Sequence, residues 1–288
     1  MPSRQQRSER AAPPDSLRPV LRRLTAVLAA NGVETPQTDA EMLVGHVLGL
    51  SRSELRVLGS RRLTAAELDE LGGLGDRRAR REPLQYVLGE WGFRRIVLKV
   101  DGRALIPRPE TEVVVERVLD LVRGIAAPRV LDVGAGSGAI ALAVADEHPG
   151  AQVTGIDASP HAVALARENA RRCGLGVSFE QRDALAGLPA GPWDVVVSNP
   201  PYVPVAERDS LAPEVRDWEP AAALFANGLT EAVARSARDV LVETGAVVLE
   251  AADGGAGEVA NLLERLRYSG VRVTKDLAGR ERVVEGRR

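Results

Sequence analysis

Val130-Leu131-Asp132-Val133 runs directly into Gly134-Ala135-Gly136-Ser137-Gly138 and then into a helical stretch through Ala141, Val144 and Ala145. An apolar run, a glycine cluster and a helix in that order constrain the chain strongly: a buried strand turns sharply into a helix that packs back on its own sheet. The alternation continues downstream. Strands are predicted at Arg129 to Val133, Gln152 to Asp157, Val177 to Gln181, Trp193 to Ser198, Ala246 to Ala251, Val271 to Asp276 and Arg282 to Glu285. Helical stretches fit between the first five, which predicts a parallel sheet in an α/β domain. Only Leu277 to Arg280, with Gly279 in the turn, separates the last two, so they should close the sheet as an antiparallel hairpin.

The chain ahead of Pro107 and Pro109 follows a different period. Leu17, Val20, Leu21, Leu24, Val27 and Leu28 have the i, i+3, i+4, i+7 spacing of an amphipathic helix, which Asn31-Gly32 stops. A second helical stretch carries Met42, Leu43, Val47 and Leu50, and a third opens at Thr64, three residues before Glu67, as a capping box. Trp91, Phe93, Ile96, Leu98 and Val100 show a partial alternation that suggests a hairpin. The expected organisation is a loose polar tail over residues 1–16, a helical bundle over 17–86, a hairpin linker over 87–108 and an α/β domain over 109–288.

Composition removes several function classes. With 44% hydrophobic and 27% charged residues in 288, this is ordinary globular composition, and no apolar run approaches the roughly 20 residues that span a bilayer. Residues 1–16 lack the apolar stretch of a secretory signal, so a cytoplasmic protein is expected, with no membrane partner. One cysteine, Cys173, and three scattered histidines, His46, His148 and His161, supply neither a disulfide nor a metal-ligand cluster, and no metal is expected. A net charge of -2 gives no global basic field, so direct nucleic-acid binding is not expected. Of 38 basic residues only Lys99 and Lys275 are lysines, a bias that reads as base composition of the genome.

Two constellations carry chemistry. Glycines at 134, 136 and 138 allow positive φ and let a ligand touch main chain, while Asp157, at the end of the next strand, can accept from both hydroxyls of a ribose. Together they point to an adenosine-type ligand; the plainer alternative is a tight turn with Asp157 capping the helix that begins near Ser159. The second constellation, Ser198-Asn199-Pro200-Pro201-Tyr202, falls at the carboxyl end of a strand, where α/β sheets bind ligands. Two prolines stiffen the backbone and remove N–H donors, so the Asn199 side chain and the Pro200 carbonyl can accept from a planar NH2 group on which Tyr202 stacks. Holding both N–H bonds aims the nitrogen's electron density at an electrophilic methyl.

Gly134 to Gly138, Asp157 and Asn199-Pro200-Pro201-Tyr202 resemble the class I S-adenosylmethionine-dependent methyltransferases that act on exocyclic or amide nitrogen. More narrowly, Pro83-Leu84-Gln85-Tyr86 to Gly89, Leu105-Ile106-Pro107-Arg108-Pro109-Glu110-Thr111-Glu112, Glu219-Pro220, Ala223-Leu224-Phe225 and Gly279 to Arg282-Val283 are similar to the PrmC (HemK) family, over nearly the whole chain. That resemblance implies a Rossmann-like class I methyltransferase sheet behind a small N-terminal helical bundle that helps hold the substrate protein. It implies a protein-glutamine N-methyltransferase that acts on the glutamine of the Gly-Gly-Gln motif in peptide chain release factors and turns S-adenosyl-L-methionine into S-adenosyl-L-homocysteine. In this pattern Gly134, Ala135, Gly136, Ser137 and Gly138 hold the methionine part of the cofactor, Asp157 the ribose, and Asp183-Ala184 the adenine edge. Asn199, Pro200, Pro201 and Tyr202 hold the substrate glutamine, with Asn199 also beside the cofactor.

An adenine N6 methyltransferase would use the same Asn-Pro-Pro-Tyr loop but should carry a basic groove or a base-reading domain. A non-catalytic module that binds S-adenosylmethionine is the alternative from another class, and intact Asn199 and Tyr202 argue against it. Arg108, Glu110, Thr111 and Glu112 either help bind the cofactor or cap the helix that starts at Glu110. Glu250-Ala251-Ala252 stands where the family more usually has Glu followed by a small polar or glycine-containing pair, a departure read as not touching the chemistry. His46, His148 and His161 read as packing or surface residues, and Cys173 as an inert thiol, although Arg171 and Arg172 beside it could lower its pKa.

Overall fold

The computed structural model describes residue 13 and residues 15–288, so most of the expected 1–16 tail lies outside the described residues. The chain divides into two compact units, one ending at Leu88 and one running from Gly89 to Arg288.

The first unit is helical: α1 (Leu17–Ala30), α2 (Pro36–Leu48), α3 (Arg52–Val57), α4 (Ala65–Ala79) and α5 (Leu84–Leu88). The apolar stripe of α1 turns Leu17, Val20, Leu24 and Leu28 inward, against Leu43, Val44, Leu71 and Val87. Asn31 and Gly32, at φ +75°, end α1 where the sequence stops it. The Thr64–Glu67 capping box forms in both directions at the start of α4. Asp39 on α2 and Arg78 on α4 make a sequestered ion pair at 2.7 Å. Asp15 pairs with Arg62 at 2.6 Å and Ser16 is buried, so packing begins before the predicted start at residue 17.

The second unit opens with a hairpin, β1 (Glu90–Phe93) and β2 (Ile96–Lys99), followed by α6 (Thr111–Val122). The elements then alternate as β3 (Arg129–Val133), α7 (Ala139–Glu147), β4 (Gln152–Asp157), α8 (Pro160–Cys173), β5 (Ser178–Gln181) and β6 (Trp193–Ser198). Two short helices, α9 (Pro213–Arg216) and α10 (Ala221–Leu224), lead to α11 (Leu229–Val240), β7 (Leu241–Glu250), α12 (Ala256–Arg265), β8 (Ser269–Lys275) and β9 (Glu281–Arg287). The seven-stranded sheet has the order β5-β4-β3-β6-β7-β9-β8; the first five of these are parallel, and β9 runs antiparallel to both β7 and β8. The chain thus starts at β3, in mid-sheet, builds outward on one side and then on the other, which opens a crevice at the carboxyl ends of the central strands.

Alternation along each strand divides the core. Val195, Val197 and Val248 pack with α6, α7 and α8, while Val196, Val247 and Leu249 pack with α11 and α12. Phe93, Ile96 and Leu98 of the hairpin join the first of these clusters, so the hairpin is built into the second unit. Strand β7 begins at Leu241, five positions before the predicted Ala246, because Leu241 pairs with Trp193 across a bulge. Its exposed Glu243-Thr244 stretch interrupts the apolar run that sequence reading relies on. Among the described residues no helix is long and apolar enough to cross a membrane.

Candidate active site

The glycine turn follows β3. Gly134, Gly136 and Gly138 have φ of +73°, +55° and +86°. Positive φ costs a residue with a β-carbon about 1–2 kcal/mol, so glycine is required here for the backbone itself. The three differ in surroundings. A β-carbon on Gly138 would come within 2.9 Å of the Phe179 ring, which makes this glycine a packing contact beneath α7; on Gly134 or Gly136 nothing lies closer than 3.9 Å. The turn is anchored from β4: Gly134 N and Ala135 N both donate to the Ile156 carbonyl, at 2.8 and 3.0 Å. Asn169, fully buried on α8, donates to the Ser137 and Lys99 carbonyls and so fixes the turn against β2.

Asp157 ends β4 and accepts from Gly136 N at 2.9 Å and from Ser159 N at 2.8 Å, one bond on each carboxylate oxygen. Each oxygen keeps a further acceptor site. Burial pushes its pKa up, against the two backbone donors that hold it down. Ser159, not Asp157, caps α8, accepting from Ala162 N. Asp183 is exposed and its Oδ1 caps the turn at Leu185 N, while Ala184 is buried beside it.

Asn199 follows β6, which Ser198 ties to β3 by donating to the Val133 carbonyl at 2.7 Å. Pro200 is buried, and the chain beyond Tyr202 is pinned by paired bonds between Val203 and the Leu224-to-Ala226 stretch. Asn199 Nδ2 donates to Thr111 Oγ1 at 3.2 Å, Thr111 donates to Glu250 Oε2 at 2.7 Å, and the Tyr202 hydroxyl donates to Glu250 Oε1 at 3.5 Å. Glu250 therefore stands inside the site, a role the sequence reading does not assign to it. Burial raises its pKa to about 7 and that of Tyr202 to about 12.

One cleft of about 240 Å³ collects these parts. Gly134, Ala135, Gly136, Ser137, Asp157, Asp183, Ala184, Asn199 and Pro201 all line it, whereas Gly138, Pro200 and Tyr202 stand behind or beside it. Leu105, Ile106, Pro107, Arg108 and Thr111 complete the lining. Arg108 pairs with buried Glu219 at 2.5 Å, and Ile106 N donates to the same carboxylate, so Glu219-Pro220 holds this segment over the cleft. The Arg108-to-Glu112 stretch divides between roles: Arg108 and Thr111 line the cleft, Glu112 accepts from Arg94 N, and Glu110 makes no side-chain cap on α6. Among the described residues no group of three or more His, Cys, Asp or Glu is placed to hold a metal ion. Cys173 lies on a helix end away from this lining, and burial pushes its thiol pKa up in spite of Arg172.

The residues present fit S-adenosylmethionine. Two glycines leave the main chain bare where a β-carbon would meet nothing closer than 3.9 Å, and a partly buried carboxylate with spare acceptor sites stands beside them. Sequence reasoning missed the Thr111–Glu250 connection and the Arg108–Glu219 clamp. A glutamate closing the otherwise apolar run Val247-Val248-Leu249 at the carboxyl edge of the sheet is the signal that could have found the first.

Comparison with known proteins agrees with this architecture. Residues 19–89 match the PrmC N-terminal domain and residues 111–240 the Methyltransferase small domain. A release factor glutamine methyltransferase of Deinococcus radiodurans is 43% identical over 276 residues, covering 94% of this chain and 98% of the relative. One from Geobacter sulfurreducens is 40% identical, covering 94% and 96%. A Thermus thermophilus 16S rRNA methyltransferase, solved with AdoMet and guanosine, superposes with a TM-score of 0.51 at 18% identity, over 69% of this chain and 49% of that one, and shows the fold alone. The sheet order, the glycine turn and these matches define a class I S-adenosylmethionine-dependent methyltransferase, a Rossmann-like α/β sheet with an N-terminal helical domain. Within that class, the extent and identity of the matches settle the particular lineage. The chain belongs to the release factor glutamine methyltransferase family.

Proposed function

We propose that this protein transfers a methyl group from S-adenosylmethionine to the side-chain amide nitrogen of the Gly-Gly-Gln glutamine in a peptide chain release factor. The observation that carries the reading is Asn199, which lines the cleft and spends its Nδ2 on Thr111, leaving Oδ1 to accept from an incoming NH2 group. The relatives' names supply the acceptor class.

S-adenosylmethionine supplies an electrophilic methyl carbon on a sulfonium and leaves as the thioether S-adenosylhomocysteine. Gly134 to Ser137 and Asp157 hold its methionine part and ribose, with Gly138 shaping the turn from behind, and Asp183-Ala184 border the adenine. Asn199 Oδ1 and the Pro200 carbonyl accept the two N–H bonds of the glutamine amide and present the nitrogen lone pair to the cleft. As nitrogen gains positive character, both acceptors strengthen their bonds to it, a stabilisation greater in the transition state than in the ground state. Tyr202 and Pro201 flank the amide plane. The surplus proton of the N-methylated amide is released to solvent after transfer, so the step calls for no strong base.

Label mapping tests the reading. The purified protein and methyl-labelled S-adenosylmethionine are incubated with a release factor in one tube and with duplex DNA in another. Label on the Gly-Gly-Gln glutamine is the expected result. Label on adenine N6 establishes the rival that shares the same loop, and label on neither leaves a cofactor-binding module.

A further inference from the structure

The acceptor loop does not hold itself. Asn199 and Tyr202 converge on one carboxylate, Glu250, the first through Thr111 and the second directly. The two anchors come from the start of α6 and the end of β7, and both Thr111 and Glu250 are buried, at 4% and 1% exposure.

Direction is the important property of this chain of bonds. A carboxylate only accepts, so Thr111 must turn its hydroxyl hydrogen toward Glu250 Oε2. With its one hydrogen committed, Thr111 Oγ1 can only accept from any other neighbour, and Asn199 must offer Nδ2. The Asn199 amide is left one orientation, with Oδ1 free as an acceptor. We infer that Thr111 and Glu250 are positioning residues for the methyl acceptor: Glu250, as the terminal acceptor, sets the hydroxyl direction of Thr111 and through it the amide orientation of Asn199. This rests on the role given to Asn199 above. The same carboxylate holds the Tyr202 hydroxyl, so one group orders both side chains of the loop.

The arrangement has a built-in pH dependence. Glu250 is faced by Thr111 and Glu110 at the start of α6, by Tyr202 from the loop after β6, and by Arg282 from β9. Burial and Glu110 raise its pKa, Thr111, Arg282 and Tyr202 lower it, and the balance lies at about 7. A protonated Glu250 can donate to Thr111, the one-way order is lost, and Asn199 is free to turn its NH2 toward the substrate NH2. Methyl transfer therefore falls as pH drops through about 7.

Three variants test this with a release factor as acceptor and saturating S-adenosylmethionine. Thr111→Val keeps the shape and removes both bonds; its kcat is expected to fall about ten- to hundred-fold while the Kd for S-adenosylmethionine stays within about threefold. Thr111→Ser restores the hydroxyl and most of the rate, which a packing role would not do. Glu250→Gln cannot titrate, so its kcat loses the acid limb of the wild-type profile. A wild-type kcat in Thr111→Val, a Thr111→Ser as slow as Thr111→Val, or an unchanged acid limb in Glu250→Gln overturns the inference. Should Thr111→Val fail to fold, the last comparison decides. A wild-type enzyme that leaves the release factor unmethylated contradicts the proposed function, which distinguishes the two failures.

Discussion

The glycine turn and the Asn-Pro-Pro-Tyr loop lie in one cleft but are built by opposite means. Gly134 to Gly138 is backbone-made: three positive φ angles, amides bonded to Ile156 and to Asp157, and absent side chains where a ligand must approach. Its amide anchors, the Ile156 carbonyl and the Asp157 carboxylate, lie within one βαβ unit, and Asn169 of the next helix braces it from behind. The loop at Asn199 to Tyr202 is held by side chains from far along the chain, with Asn199 bonded to Thr111, 88 residues away, and Thr111 bonded to Glu250, 139 residues away. A half made of backbone binds what is always the same molecule. A half made of an oriented hydrogen-bond chain can present one acceptor atom in one direction, which is what choosing a particular NH2 group requires.

That contrast can be broken by substitution, starting where the effect is greatest. Asn199→Ala removes the oriented acceptor and should lower methyl transfer by about 10²–10³-fold, the usual consequence of deleting one preorganised partner of a developing charge; single-turnover kinetics with a release factor would measure it. Gly136→Val attacks the other half, forcing a β-branched residue to φ +55° at a cost of about 1–2 kcal/mol or more. Its expected signature is S-adenosylmethionine binding weakened about tenfold, with kcat at saturating cofactor much less affected. Glu250→Gln should show the smallest change, and in stability. Burial holds the folded pKa of Glu250 above its ordinary value, so the neutral form's contribution is complete below about 4.5 and is lost as pH rises through about 7. Thermal melts should find the wild type losing about 1 kcal/mol more than Glu250→Gln between pH 6 and pH 8.

The same contrast explains what the sequence made legible. The strand, glycine turn and acid of the cofactor side are local, and their spacing alone places Gly134, Gly136 and Asp157 on one cleft wall. The parallel sheet with its closing hairpin also follows from local periodicity and from Gly279. Glu250 has no role that the sequence alone assigns, because nothing in Glu250-Ala251-Ala252 tells which residues meet it across the sheet; that depends on β7 lying beside β6 and on the bond from Thr111 at the start of α6. Thr111 was open between two local roles, and its bond to Glu250 is a third that no window of neighbouring residues contains. The early start of β7 was hidden for a related reason, since the pairing of Leu241 with Trp193 is a tertiary fact that skips a polar interruption.

The division of labour between the two halves is most directly tested by titrating S-adenosylmethionine onto the wild type, Asp157→Ala and Asn199→Ala under one set of conditions. Asp157→Ala should bind about tenfold or more weakly, having lost hydrogen bonds to a charged group. Asn199→Ala should bind within about threefold of wild type while transferring the methyl group about 10²–10³-fold more slowly. An Asn199→Ala that loses the cofactor as severely as Asp157→Ala, or one that binds it and methylates at the wild-type rate, would contradict the account.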